Sequence, residues 1–320
     1  MNKLPIVLIT NDVPDDHLAP LHGLAEIIKG PKEAFALSTR EDVLALAPEL
    51  DGIINQHELT VDRELLAAAP KLKVIANVAI GYNNFDLNAL NEFKVWGTNC
   101  PGVFSESAAD HTLGLLLAVA RRICNMDTYV RSGSWEKDGF QPGRWDGVLL
   151  SGKTMGIVGF GQIGRAVARR VEGFGMQVRF YDPLVKDDQR GCDLDTLLQQ
   201  SDVVSLHAPL LPATHHLINR DSLGKMKAGA ILLNLARGPV VDEDALAVAL
   251  SSGHLLGAGM DVAENEPKLH PGLLSHPRVV FSPHVGGGTL ESRKQARLIC
   301  AENVAVALRG ERPPNAVNEV

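Results

Sequence analysis

The chain has 320 residues, a formal net charge of −7 and 45% hydrophobic residues. That length exceeds one typical core and points to two domains. The negative charge argues against nucleic acid and anionic membrane surfaces as partners, and the most apolar run, residues 113–120, is far shorter than a membrane span.

Cys100, Cys124, Cys192 and Cys300 are scattered, with no C-x-x-C and no partnering histidine cluster. This pattern predicts reduced thiols in a cytoplasmic protein and no metal site. Residues 4–9 are too few to form the apolar core of a secretion signal.

In the first hundred residues, apolar runs at 6–9, 35–37, 52–54, 74–76 and 95–97 read as strands. Residues 17–29, 40–47, 62–69 and 86–93 read as helices. Each run is too apolar to have one wet face, so the sheet is parallel and covered on both sides. A long apolar helix follows over 105–122, announced by Pro101-Gly102 and by Glu106 in its first turn. Residues 131–147 have no clear period and read as an arm or long loop. Strands resume at 155–159, 177–181, 202–206, 230–235, 256–261 and 279–282, and a last helix covers 291–308.

The fold class is therefore α/β, with two doubly wound parallel-sheet domains. A flavodoxin-like substrate domain takes 1–101 plus 289–320. The strand–Gly159-x-Gly161-x-x-Gly164–helix pattern marks 102–288 as a Rossmann domain that binds a dinucleotide.

The most informative stretch is 155–164. A buried strand runs into Gly159-Phe160-Gly161-Gln162-Ile163-Gly164, and a helix follows over 165–173. Gly159 allows the tight turn, Gly161 lets backbone approach a pyrophosphate, and Gly164 lets helix pack on strand. The free N–H groups at the helix start then face the anion, and Gln162 and Ile163 join the glycines as cofactor-binding candidates. Three fixed glycines recur by chance roughly once in four chains this rich in glycine, so the spacing alone is weak. The flanking elements add independent support. Asp182 ends the second strand, where a carboxylate accepts from the adenosine ribose and repels a 2′-phosphate, pointing to NAD.

Ligands of open α/β sheets bind beyond the carboxyl ends of the strands. Three successive strands deliver Arg237, Glu266 and His284 there. Arginine holds a carboxylate and polarises a carbonyl. Histidine exchanges the alcohol proton near neutral pH, and a carboxylate bonded to it orients it and favours its charged form. In the first domain, backbone N–H groups of Ala79, Ile80 and Gly81 can cradle a carboxylate, with Gly81 permitting close approach. Gln56 and His57 end another strand, facing either substrate or solvent.

The same residues carry a family resemblance. Residues 156–164, His207-Ala208-Pro209-Leu210 with Thr214, 226–230 through 244–246, Asp261-Val262 with Glu266-Pro267, and Ser282-Pro283-His284 resemble the D-isomer-specific 2-hydroxyacid dehydrogenases over nearly the whole chain. The resemblance implies that Arg237 binds the substrate carboxylate and keto oxygen, that His284 is the acid–base residue and that Glu266 tunes it. It places Asp261 near the nicotinamide amide and has His207, Ala208, Pro209 and Thr214 line the cofactor, with Leu235, Ala236 and Gly286 beside it. Val78, Ala79, Ile80 and Gly81 become the substrate loop.

Departures narrow the field. Ile80 stands where phosphite dehydrogenases have lysine, and Glu266 where formate dehydrogenases have glutamine. Long phosphoglycerate dehydrogenases add domains beyond the last helix, whereas this chain stops at Val320. Gly286-Gly287-Gly288-Thr289 replaces a small-residue segment common in the family.

The resulting expectation is an NADH-dependent reduction of a small 2-keto acid, glyoxylate or hydroxypyruvate, to a D-2-hydroxy acid, by a homodimer whose exchanged contacts fall in 131–147. Closure of the two domains would bring the substrate loop to the second-domain residues. Two alternatives stay open: a dehydrogenase of a phosphorylated hydroxy acid (3-phosphoglycerate or 4-phosphoerythronate), and a non-catalytic NAD(H)-sensing co-repressor-like protein.

Overall fold

Short, continuous apolar runs separated by helical spans build two all-parallel sheets. The structure, a computed structural model, describes residues 3–186 and 188–320. It forms two compact units, Met1–Phe104 with Gly288–Val320, and Ser105–Gly287.

In the first unit β1 (Ile6–Ile9), β2 (Glu26–Lys29), β3 (Gly52–Asn55), β4 (Val74–Asn77) and β5 (Trp96–Thr98) lie in the order β2-β1-β3-β4-β5. This is the flavodoxin-like order, with its reversal between β1 and β3. Every residue of β1, β3 and β4 is buried. Helices α1 (Arg40–Leu46), α2 (Arg63–Ala68) and α3 (Leu87–Phe93) start at Thr39, Asp62 and Asp86, whose side chains accept N–H groups of the first turn. Each such cap stabilises its helix by about 1 kcal/mol.

Two expectations for this unit fail. Residues 17–29 are not one helix. A 3₁₀ turn, Asp15–Leu21, contains Pro20, and the chain then enters β2, which pairs with β1 from Ile6↔Glu26 to Ile9↔Lys29. Proline cannot donate within a continuing helix, and an edge strand half open to solvent has no alternation to betray it. Residues 35–37 are not a strand: Phe35 sits in a turn at φ 66 with its ring fully exposed.

The second unit opens with α4 (Ser105–Ala120), which packs on its own unit's sheet. It ends before the expected 122 because Arg122 turns left-handed at φ 57 and starts α5 (Ile123–Arg131), followed by α6 (Ser134–Asp138). The expected arm at 131–147 is thus partly helical. Its remainder is held by Arg144 stacked 4.4 Å from the Tyr129 ring, Arg122 4.7 Å from the Trp145 ring, and Tyr129 Oη donating to Asp138 at 2.9 Å. Cation–π contacts between residues far apart in a helical period leave no periodic signal.

The six-stranded sheet follows. β6 (Thr154–Val158) leads into α7 (Gln162–Gly173) and β7 (Gln177–Tyr181). α8 (Leu194–Gln200), β8 (Val203–Leu206), α9 (Arg220–Lys225), β9 (Ala230–Asn234), α10 (Glu243–Ser251), β10 (Leu255–Met260), α11 (Pro271–Leu274) and β11 (Val279–Phe281) complete it. The order is β11-β10-β9-β8-β6-β7, so the winding reverses beside β6, where the glycine-rich turn lies. α7 starts at Gln162, three residues before the expected 165. The chain returns to the first unit as α12 (Leu290–Leu308), packed on β3, β4 and the 3₁₀ turn. Among the described residues no helix is long and apolar enough to cross a membrane.

Candidate active site

The glycine turn is shaped by contacts that a side chain would break. Gly159 has φ 92, and a Cβ there would lie 2.7 Å from the Ala208 nitrogen. A Cβ on Gly164 would lie 2.2 Å from the Gly159 carbonyl oxygen, so helix and strand meet backbone to backbone. A Cβ on Gly161 would meet nothing within 4 Å. Gly161 is also the N-cap of α7 and supplies no side chain to its first N–H groups, which include Gln162 and Ile163. The turn therefore presents open space and free donors together, which fits a pyrophosphate.

Asp182 braces this turn. Its Oδ2 accepts the Phe160 N–H at 2.8 Å and its Oδ1 accepts the Leu184 N–H at 2.9 Å. Carboxylate oxygens have further lone pairs for ribose hydroxyls. Phe160 stacks on Phe180 at 3.9 Å, which fixes the turn against β7.

At the end of β8, the half-buried His207 bonds through Nε2 to Ser205 Oγ at 2.8 Å, while its Nδ1 is buried without a partner. Burial pulls its pKa down to about 4, so it is neutral at pH 7. An orphaned buried nitrogen beside Ala208 and the glycine turn suits a cofactor hydroxyl or amide. Thr214 is used differently: its hydroxyl donates to the Pro209 carbonyl at 2.6 Å and accepts the Leu211 N–H at 2.7 Å, which closes the loop after β8.

The end of β9 turns on the buried Asn234. Its Oδ1 accepts the Ala236 N–H at 3.1 Å, and its Nδ2 donates to the Arg237 carbonyl at 3.1 Å, spanning Leu235. Arg237 donates one Nη1 bond to the Ala236 carbonyl at 2.7 Å. Burial pulls the pKa of the half-buried guanidinium below the usual range, and the Glu266 charge opposes this.

β10 and β11 deliver the other two groups. His284 Nδ1 lies 2.8 Å from Glu266 Oε2, and Glu266 Oε1 accepts the Ala263 N–H at 3.0 Å. Burial pushes the Glu266 carboxyl up, but the hydrogen bonds from His284 and Ala263 and the charges of His284 and Arg237 outweigh it and hold it below the usual range. A cleft of about 270 Å³ lies here, bounded by Asp261, Val262, Glu266, Pro267, Phe281 and His284.

Asp261 is the anchor of the histidine loop. Its Oδ1 accepts from Ser282 Oγ at 2.6 Å and Val285 N–H at 2.9 Å, and its Oδ2 accepts the Gly286 N–H at 2.8 Å. Its own carbonyl takes the His284 N–H at 2.8 Å. His111 Nε2 closes the cluster, 2.7 Å from Ser282 Oγ and 3.4 Å from Asp261 Oδ1. Burial pushes Asp261 up, yet these donors hold its pKa at about 2. His111 was not singled out in the sequence, and Ser282 only as part of the Ser282-Pro283-His284 block, since 171 residues separate the two.

In the first unit, the loop after β4 is held by its carbonyls. Cys100 N–H donates to Ala79 O at 2.8 Å, Asn99 Nδ2 to Ile80 O at 2.7 Å, and Asn77 Nδ2 to Gly81 O at 3.2 Å. The Val78 N–H is spent on the Asn55 carbonyl at 2.8 Å. The N–H groups of Ala79, Ile80 and Gly81 donate to no described residue. At the end of β3, Gln56 Nε2 is buried without a partner, and His57 Nε2 lies 3.2 Å from Asn83 Oδ1.

Residues 113–286 match the profile of the D-isomer specific 2-hydroxyacid dehydrogenase NAD binding domain. The chain is 42% identical to a glyoxylate reductase of Thermococcus litoralis, over 98% of this chain and 97% of that one. It is 40% identical to a D-3-phosphoglycerate dehydrogenase of Mycobacterium bovis, over 99% of this chain but 59% of that protein. Among solved structures, a protein from Thermus thermophilus superposes with a TM-score of 0.91 at 40% identity, over 98% of this chain and 99% of that one. With its glycine turn, Asp182 and strand-end residues arranged as described, the chain belongs to the D-isomer specific 2-hydroxyacid dehydrogenases, NAD-dependent oxidoreductases acting on CH–OH groups.

Proposed function

We propose that this protein reduces glyoxylate or hydroxypyruvate to the D-2-hydroxy acid, with Arg237, Glu266 and His284 as its reacting-centre residues. The observation that carries the reading is the 2.8 Å bond between His284 Nδ1 and Glu266. It commits Nδ1, fixes the ring and leaves Nε2, which has no partner among the described residues, as the atom that exchanges a proton. When bound at the glycine turn, NADH supplies the hydride. Proton transfer from His284 Nε2 to the former keto oxygen completes the alcohol and leaves a neutral ring, its remaining proton still on Nδ1 toward Glu266. Arg237, with its planar fork, holds the substrate carboxylate and polarises the carbonyl.

The free N–H groups of Ala79, Ile80 and Gly81 support that loop as a second carboxylate holder, and the first unit as the substrate domain. The unpaired His207 Nδ1 supports a cofactor contact there, as the open face of Gly161 does at the turn. Thr214, by contrast, serves the cofactor by shaping the loop around Pro209. Leu235, Ala236, Asp261 and Gly286 support the nicotinamide end; Asp261 Oδ2, with one donor, has capacity to accept an amide.

Helices α5 and α6 bury no residue, and Trp135 and Phe140 stand exposed, which supports this surface as the contact with a second copy. Four free cysteines support a reducing, cytoplasmic setting.

The test is NADH oxidation with glyoxylate, hydroxypyruvate and 3-phosphohydroxypyruvate. Turnover with the first two is expected to exceed that with the phosphorylated acid, and His284→Ala is expected to bind NADH but turn over none of them. Preference for the phosphorylated acid, or no turnover, contradicts the proposal.

A further inference from the structure

The substrate loop poses a problem of aim. An amide in a loop can point anywhere that its peptide plane turns, and a carboxylate cradle needs consecutive N–H groups pointing out together. In a trans peptide the C=O and the following N–H point in opposite directions. Whatever holds one carbonyl inward therefore turns the next N–H outward.

The structure shows how each carbonyl is held. Ala79 O is taken by the backbone N–H of Cys100, which turns the Ile80 N–H outward and depends on no side chain. Ile80 O is taken by Asn99 Nδ2 at 2.7 Å, which turns the Gly81 N–H outward. Gly81 O is taken by Asn77 Nδ2 at 3.2 Å. Asn77 is itself fixed: its Oδ1 accepts from Asn55 Nδ2 at 2.8 Å and Asn84 Nδ2 at 3.2 Å, and its Nδ2 also donates to Asn84 Oδ1 at 2.8 Å. Asn84 in turn donates to the Leu59 carbonyl at 2.8 Å. Asn99 is buried, with its own N–H on the Asn315 carbonyl.

We propose that Asn99 is a positioning residue for substrate recognition: its carboxamide pins the Ile80 carbonyl and so aims the Gly81 N–H at the substrate carboxylate, while Asn77 holds the far end of the loop at the Gly81 carbonyl. This rests on the reading of Ala79–Gly81 as a carboxylate holder. Asparagine suits the task because its amide donates at neutral pH without placing a charge beside the anion. Asn99 is the sharper case, since it alone holds the Ile80 carbonyl among the described residues.

The experiment compares Asn99→Ala and Asn99→Asp with the wild type. Aspartate keeps the shape but adds a charge, alanine adds no charge but loses packing, and both lose the donor, so a rise common to the two follows the lost hydrogen bond. Both variants are expected to raise the glyoxylate KM and the inhibition constant of oxalate by about tenfold, the scale of one hydrogen bond to a charged group. The NADH KM is expected to stay within about twofold and kcat within about threefold, a split that general loss of structure does not give. A wild-type glyoxylate KM in Asn99→Asp overturns the proposal, as does an equal rise in the NADH KM.

Hydrogen exchange of residues 79–81 in the wild-type NADH complex separates this failure from failure of the underlying reading. Oxalate is expected to slow exchange there. If it does and Asn99→Asp binds normally, only the positioning role falls. If oxalate leaves exchange unchanged, the loop is not the carboxylate holder and both fall.

Discussion

The histidine loop of the second unit and the 78–81 loop of the first unit are built in opposite ways. In the histidine loop a buried carboxylate, Asp261, gathers N–H donors, and the group presented outward is a side chain, His284. In the 78–81 loop neutral asparagines donate to carbonyls, and what is presented outward is backbone N–H. The difference fits the two proposed roles. A loop that presents a proton-transferring ring tolerates a fixed negative charge behind it. A loop that receives an anion is better held by groups without charge.

Removing the charged anchor sharpens this contrast most. Asp261→Ala leaves the Val285 and Gly286 N–H groups and the Ser282 hydroxyl without their acceptor. A loss of about 3–5 kcal/mol is expected, with Tm lower by roughly 10 °C, measured by thermal unfolding. The acid dependence has a definite sign. Asp261 is held at about 2 in the folded chain, against about 3.9 unfolded. Its contribution, on the order of 2 kcal/mol, is fully present above pH ~4 and lost as pH falls through about 2. A variant as acid-stable as the wild type below pH 3 and equally stable at pH 7 breaks the anchor account.

Next in size is Arg237→Lys. The charge remains but the two-donor fork is lost, and kcat/KM for keto acid is expected to fall about a hundredfold, with NADH affinity nearly intact. Fluorescence titration showing NADH binding lost while the keto-acid KM holds would make Arg237 a cofactor residue.

A smaller effect is expected at Asp182. Besides the expected ribose contact and repulsion of a 2′-phosphate, its oxygens hold Phe160 and Leu184. Asp182→Ala is expected to weaken NADH binding about tenfold and to narrow the NADH-over-NADPH preference at the same time. Equal kcat/KM for both cofactors in the wild type would sink the charge argument.

The sequence exposed what is local and what is a side chain in its chemistry. The glycine turn, Asp182, Arg237, Glu266 and His284 each follow a strand that can be counted along the chain. Hidden were supports made by tertiary contact. His111 reaches Ser282 across 171 residues, and Asn318 donates to Val95 across 223. Asn77 and Asn99 flank the loop in sequence, but nothing in residue type tells an asparagine that binds a ligand from one that pins a carbonyl. Strand β2 escaped because Glu26 and Lys29 at its ends read as polar helix positions, while its pairing with β1 is set in three dimensions.

The central claim is that Glu266 fixes His284 through Nδ1 and so makes Nε2 the proton donor. Its most direct test is the pH dependence of kcat/KM in both directions, for the wild type and Glu266→Gln. Reduction is expected to fall and oxidation to rise with pH under one titrating group, and His284→Ala to abolish both. Glutamine keeps the shape and removes the charge, so reduction in Glu266→Gln is expected to suffer most at the alkaline end and to survive at the acid end. A pH–rate profile in Glu266→Gln that matches the wild type at every pH would show the carboxylate uncoupled from the proton transfer and would contradict the account.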